Sequence, residues 1–231
     1  GSSAALLNSV GIVLISYVIL KLCNKFDWRA FSSLFLVVFS GGLSAALGGF
    51  STLAYGGLIM LFGYSVIHKE YRAVSVLTLL IPLFRPDGVL IVLGGVLVAF
   101  FGANKGQRRT LFFYLVPVAI AGLSYFFWRY SYFESLLPLP LLVKARTDTL
   151  LAGLGQNFQW LKFHLLLLIP FIYLFIKNGI RGIKWFDYFA FGFGPLLLLI
   201  ALSFAHQSQT VGGRFQFPIV LSFIAIFTLS S

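Results

Sequence analysis

Charge is what this sequence has least of. Asp, Glu, Lys and Arg make up 10% of its 231 residues, where a soluble domain carries about a quarter. A water-facing surface cannot be built from so few, which excludes an ordinary soluble globular domain. Acids are scarcer still, six against 17 Lys and Arg. No Walker A sequence, nucleophile elbow, zinc signature or dinucleotide fingerprint occurs. His206 has no second His, Cys or carboxylate at ligand spacing, so no metal site is read there. Cys23 is the one cysteine; it excludes an intrachain disulfide and reads as a small apolar residue at a helix end. The only methionine is Met60 and the chain opens on Gly1-Ser2-Ser3, which reads as a tag remnant or the edge of a fragment.

What is abundant is apolar: 59% hydrophobic and 18% aromatic residues, with a mean hydropathy of +0.96. Nine apolar runs follow one another, at 4–22, 31–47, 52–67, 73–84, 89–103, 111–128, 165–176, 186–204 and 217–229. At about 20 residues per crossing the chain has room for roughly eight or nine. The expectation is an all-α polytopic transmembrane helix bundle of about nine spans, a single bundle over residues 1–231, with the lipid bilayer as its solvent. The first run ends in Lys21 and Lys25, not in a small-residue cleavage site, so it reads as a span, not a cleavable signal.

A net charge of +11 would suit nucleic acid only if the basic residues were gathered on one soluble face. Here they punctuate apolar runs, so no nucleic-acid partner is expected. Placing the loop after the first run in the cytoplasm puts eleven Lys and Arg on that side and six on the other, the asymmetry of a cytoplasmic face. Trp28, Trp128, Trp160 and Trp185 fall at the expected span ends. An integral, multi-pass protein follows, with a bacterial inner (plasma) membrane as its expected location.

With that parity, every irregular polar segment lies on the non-cytoplasmic side. Phe84-Arg85-Pro86-Asp87-Gly88 separates two runs of about 12 and 15 residues, which reach only about 18 to 22 Å of a roughly 30 Å core. The turn is therefore expected below the membrane surface, buried in protein or lining a wet cavity. Pro86 stops the first helix; Asp87 and Gly88 suit a cap or turn into the second. Two readings stand side by side: a turn in which Arg85 pairs with Asp87, or an arginine that binds an anionic ligand.

The longest loop is expected over 129–163, opening with Arg129-Tyr130-Ser131-Tyr132-Phe133-Glu134-Ser135-Leu136-Leu137-Pro138 and continuing through Lys144, Arg146 and Asp148. Leu150, Leu151, Leu154, Phe158 and Leu161 follow at helical spacing, the pattern of an interfacial helix. Tyr130 and Tyr132 fit an aromatic belt as well as they fit substrate stacking. Glu134, among aromatics and leucines at a membrane surface, suits a cation, a sugar hydroxyl or proton transfer. The last outer segment runs from His206 through Gly212-Gly213-Arg214-Phe215; Arg214 could hold a phosphate or reach for headgroups.

In order along the chain, Gly49-Phe50-Ser51-Thr52-Leu53-Ala54-Tyr55, the Arg85 turn, the Arg129 segment with Lys144, and Gly212-Gly213-Arg214-Phe215 with Pro218 resemble the multi-spanning GT-C glycosyltransferases. The mycobacterial arabinofuranosyltransferase branch is the most similar. The four segments cover roughly residues 45 to 220.

The resemblance implies a polyprenyl-phosphate sugar donor, an envelope glycan or lipid acceptor on the outer side, and inverting transfer by direct displacement. It assigns Arg85, Arg214 and Lys144 to the donor phosphate, and Asp87, Tyr130, Tyr132, Glu134 and His206 to sugar or acceptor. It names no certain cofactor and leaves a divalent cation open. The pattern departs at Ser51, where the family has a glutamate, and at Leu139-Pro140, where it has Asn-Thr. The family's first outer loop, with the acid that takes the acceptor proton, would precede Ala4, so the chain is read as part of a longer enzyme with its catalytic acid upstream of residue 1. The alternative function is a transporter or flippase of a lipid-linked or small polar substrate, with the Arg85 turn as a broken helix. No internal repeat supports it. A membrane subunit without chemistry of its own is the third reading.

Overall fold

The computed structural model of the protein describes residues 2–24, 26–39, 46, 51–134, 155, 185–204 and 215–230. Their regular secondary structure is all α-helix, with no strand among them. The helices are α1 (Ser2–Cys23), α2 (Trp28–Phe39), α3 (Thr52–Ile67), α4 (Tyr71–Phe84), α5 (Gly88–Phe101), α6 (Lys105–Phe133), α7 (Trp185–Ser203) and α8 (Phe217–Ser230). Three stretches, Ser3–Cys23, Lys105–Phe133 and Trp185–Ser203, are long and apolar enough to cross a membrane. The other five helices are apolar but shorter. Helix is what such sequences must form, because an apolar surround offers backbone groups no partner outside the segment. The expected run at 165–176 and the expected interfacial helix lie outside the described residues.

α3 is the centre. Twelve of its 16 residues are buried, and α1, α4, α5, α7 and α8 all pack on it. Glycine sets how closely these helices approach. A Cβ on Gly11 would run into the α3 backbone at Leu53 and Ala54, and one on Gly194 into the α5 backbone at Ile91. Gly63 receives the ring of Phe191 and Gly95 the ring of Phe62. Small residues at crossings are how apolar helices associate where no hydrophobic force drives them together.

Two contacts between polar groups tie helices together inside the bundle. Asn8 of α1 is buried and its Oδ1 accepts from the Leu53 backbone N–H at 3.2 Å, supplying the first turn of α3 with a partner that Ser51 does not provide. Thr228 donates to the Ile224 carbonyl at 2.7 Å, and its hydroxyl meets that of Ser33 at 2.9 Å, tying α2 to α8.

These contacts fix the direction of each helix. α1 lies parallel to α3, with Asn8 beside Leu53 and Tyr17 beside Tyr64. α7 lies antiparallel to α5, with Gly194 against Gly94 and Phe186 against Gly102. One end of the bundle therefore carries Asn8, Leu53, the Arg85 turn and Phe217. The other carries Lys21, Arg29, Lys69, Arg72, Lys105, Arg108 and Arg109. Among the described residues the basic side chains divide seven to two, with Arg85 and Arg129 on the first end.

α6 departs most from the pattern of apolar runs. It starts at Lys105 and continues to Phe133, so Arg129, Tyr130, Tyr132 and Phe133 belong to a helix and not to the loop expected from residue 129. Asn104 and Gln107 close a capping box at its start. At its far end Trp128 and Tyr132 stack at 6.0 Å, one turn apart. Glu134 then turns left-handed (φ 51°), with its N–H on the Tyr130 carbonyl, and ends the helix. Leu111 is its one buried residue.

Candidate functional site

Arg85 adopts an extended backbone, φ −148° and ψ 128°. That is where a residue before proline is driven, since the α region would clash with the ring of Pro86. Its own N–H still closes α4 on the Ile81 carbonyl at 3.0 Å, and its carbonyl accepts from Gly88 at 2.9 Å, so the turn is tight. Gly88 lies against Ile81 so closely that a Cβ there would meet its side chain and carbonyl. Asp87 occupies the position before α5 but its side chain makes no cap bond. The carboxylate is taken by Arg85: Nε donates to Oδ1 at 3.0 Å and Nη2 to Oδ2 at 2.5 Å. The two-pronged pair is the one the turn sequence allowed, and about four-fifths of each side chain is covered.

The cover is aromatic and comes from two other parts of the chain. The guanidinium carbon lies 4.5 Å from the centroid of Tyr55 on α3 and 5.1 Å from that of Phe215, two residues before α8. Tyr55 stacks in turn on Phe84 at 6.4 Å and 13°. Each cation over a ring contributes about 0.5–2 kcal/mol, more as water is removed. Tyr55 is fully buried, and its hydroxyl has no hydrogen-bond partner among the described residues. The charged groups facing that hydroxyl are Asp87 and Arg85.

Depth follows from α6. Arg72 Nε donates to the Tyr114 hydroxyl at 2.7 Å, and Gly122 sits beside Leu79, so α4 and α6 run parallel. Continuing that register puts Arg85 level with Phe127 and Trp128. Glu134 is then about 10 Å farther out at 1.5 Å per residue. The charged turn therefore sits below the rim that α6 builds.

Of the residues singled out by sequence, Arg85 and Asp87 are brought together. Tyr130, Tyr132 and Glu134 are not in that cluster; they stand exposed on the last turn of α6. Arg214, Lys144 and His206 lie outside the described residues. Tyr55 and Phe215 are the functional candidates that local reading missed, although both stand inside segments that carried the resemblance. Among the described residues no group of three or more His, Cys, Asp or Glu side chains could hold a metal ion. Two apolar grooves lie elsewhere, one of about 270 Å³ between α7 and α8 and one of about 250 Å³ between α1 and α2. Neither includes a residue of the Arg85 cluster. The chain matches no family model, no curated protein and no solved structure.

Proposed function

We propose that the chain is the membrane core of a GT-C glycosyltransferase, a polytopic bundle of about nine spans in a bacterial inner membrane. It takes a sugar from a polyprenyl-phosphate donor and passes it to an envelope glycan or lipid acceptor. The Lys21 end faces the cytoplasm, following the seven-to-two division of basic side chains, and the Arg85 end faces outward. The observation that carries this reading is the meeting of Tyr55, Arg85 and Phe215. They come from three of the four segments of the resemblance, and they meet around a cation set below the rim.

In inverting transfer the acceptor hydroxyl gives its proton to a general base and its oxygen bonds to the anomeric carbon as the bond from that carbon to the phosphate oxygen breaks. The phosphate leaves with the electron pair. An arginine held in a fixed orientation in a poorly hydrated site stabilises that growing charge without reorganising. Arg85 fills this role, with Arg214 and Lys144 completing the phosphate subsite; Asp87, Tyr130, Tyr132, Glu134 and His206 serve sugar and acceptor.

One observation favours the second reading, a transporter or flippase. α4 and α5 are 14 residues each, about 21 Å, and a charged turn between two short helices is the form that transport sites take.

Binding of a glycosyl-free polyprenyl phosphate to the purified protein in lipid nanodiscs tests the proposal, with the matching polyprenol as a neutral control. Saturable binding of the phosphate lipid alone, weakened about tenfold or more in Arg85→Ala and Arg214→Ala, is expected. Equal binding in all three proteins overturns the phosphate role. Sugar transfer to an acceptor, against movement of intact lipid across the bilayer, separates enzyme from flippase.

A further inference from the structure

Arg85 comes to its site already compensated. Asp87 holds its Nε and Nη2 and cancels its charge, so the turn offers an anion hydrogen-bond donors but no net positive charge. The transfer proposed above asks for more. The diester phosphate of a bound donor carries about one negative charge, and the monoester that leaves carries about 1.5 to 2. An anion that grows in a poorly hydrated site calls for a second cation.

The burial of α6 supplies one. Its covered residues include a stripe of Leu111, Tyr114, Leu115, Val118 and Gly122, which packs on α4 through Tyr114 at Arg72 and Gly122 at Leu79. Gly122 lies beyond Pro117, so the register survives the proline. From Leu123 to Glu134 every residue is exposed except Arg129, which is half-buried. Arg129 follows Leu111 by 18 residues, about five whole turns at 3.6 residues each, which returns it to the azimuth of the one buried residue of the helix. A basic residue near a span end ordinarily turns out to the headgroups. Here the order is inverted: Trp128, Tyr130 and Tyr132 are exposed and the arginine between them is covered.

The register that puts Arg85 level with Phe127 and Trp128 puts Arg129 one residue farther, about 1.5 Å along the axis. α4 has ended at Phe84, so at that height the stripe looks onto the charged turn. Arg129 is also uncompensated. The ion pairs among the described residues are Asp27 with Arg29 and Asp87 with Arg85. The contact of the Arg129 guanidinium is the ring of Phe133, one turn on, at 6.0 Å.

We infer that Arg129 is a further phosphate-binding residue: from α6 it supplies the net positive charge that the Arg85–Asp87 pair lacks, and the two arginines hold one lipid-borne phosphate between them. The inference rests on the phosphate reading of Arg85 given above and adds a residue that reading leaves unassigned. Arg129 forms and breaks no covalent bond; it faces the charge that builds on the departing phosphate.

Arg129→Gln tests this in the full chain, in phosphatidylcholine nanodiscs, beside Arg85→Ala and with polyprenyl phosphate as the probe. The variant should unfold at the temperature of the parent, because no carboxylate loses its partner. Affinity should fall about tenfold, less for the methyl diester of the same lipid and not at all for the polyprenol. Arg129→Lys keeps the charge and should recover most of the loss. Binding that Arg85→Ala weakens and Arg129→Gln leaves unchanged overturns the inference and spares the phosphate site. Dependence on Arg129 alone overturns the shared phosphate and removes Arg85 from it. An equal loss with the polyprenol makes Arg129 a support of the fold or of the lipid chain, and also overturns the inference. The titration is repeated in nanodiscs rich in phosphatidylglycerol. An undiminished Arg129 dependence keeps polyprenyl phosphate as the ligand; its disappearance makes a bilayer headgroup the occupant and overturns the assignment to the donor.

Discussion

The guanidinium carbon of Arg85 lies 5.1 Å from the ring centroid of Phe215. That contact joins the turn between α4 and α5 to the segment entering α8. It makes the charged turn part of the tertiary structure and not only a local device for reversing the chain.

Phe215→Leu keeps the bulk and removes the π face, while Phe215→Ala removes both. Thermal unfolding in detergent should show a loss of about 0.5–1 kcal/mol for the first. The second should lose about 2–4 kcal/mol, below a fully buried phenylalanine because Phe215 is only half-buried. No loss in Phe215→Leu beside a clear loss in Phe215→Ala would remove the cation–ring term from the account.

Asn8 caps a helix other than its own. Asn8→Ala should cost about 1–2 kcal/mol. It should also raise hydrogen exchange at the Leu53 amide, with the amides in the middle of α3 left protected. Unchanged exchange at Leu53 would mean the bond carries no stability.

Glycines at crossings should be intolerant and glycines at open positions should not. Gly194→Val forces α5 and α7 apart at Ile91 and Gly94, an overpacking worth about 1–3 kcal/mol or more. Gly106→Ala meets only the Asn104 side chain oxygen at 3.7 Å; it should be neutral or stabilise α6 by up to about 1 kcal/mol. Both are read from unfolding in a detergent series.

Asp27 gives a pH dependence outside the helices. Burial raises its carboxyl, but donation from the Arg29 side chain at 2.7 Å and from the Ala30 and Arg29 amides at 3.2 and 3.0 Å outweighs it, so the group is held below the ordinary carboxylate value. A carboxyl depressed in the folded state stabilises fully above its unfolded value, near 4, and that contribution is lost as pH falls through the folded value. The stability gap between the parent and Asp27→Asn should be constant above about pH 5 and close below about pH 4. A gap that widens on acidification would contradict the sign.

Much of the helical layout was legible. Eight of the nine apolar runs coincide with α1 to α8, because an apolar stretch bounded by charge or glycine carries its own signal. The break at Arg85 was legible from Pro86, and its pairing with Asp87 from their spacing. The length of α6 was not: Lys105 to Arg109 and Arg129 to Phe133 are polar or mixed, and the capping box and the Trp128–Tyr132 stack that keep them helical are invisible to hydropathy. Nor were Tyr55 and Phe215 as partners of Arg85, or Asn8 as the cap of α3. Those are contacts between distant segments, and only packing brings them into reach.

The affinity of Asp87→Asn for polyprenyl phosphate, relative to the parent protein, tests the central claim most directly. Removing the carboxylate frees the forked edge of Arg85 and deletes a charge that repels the ligand. Binding should tighten about fivefold or more. Unchanged or weaker binding would mean that Arg85 and Asp87 serve each other as a structural turn, and that the phosphate is held elsewhere.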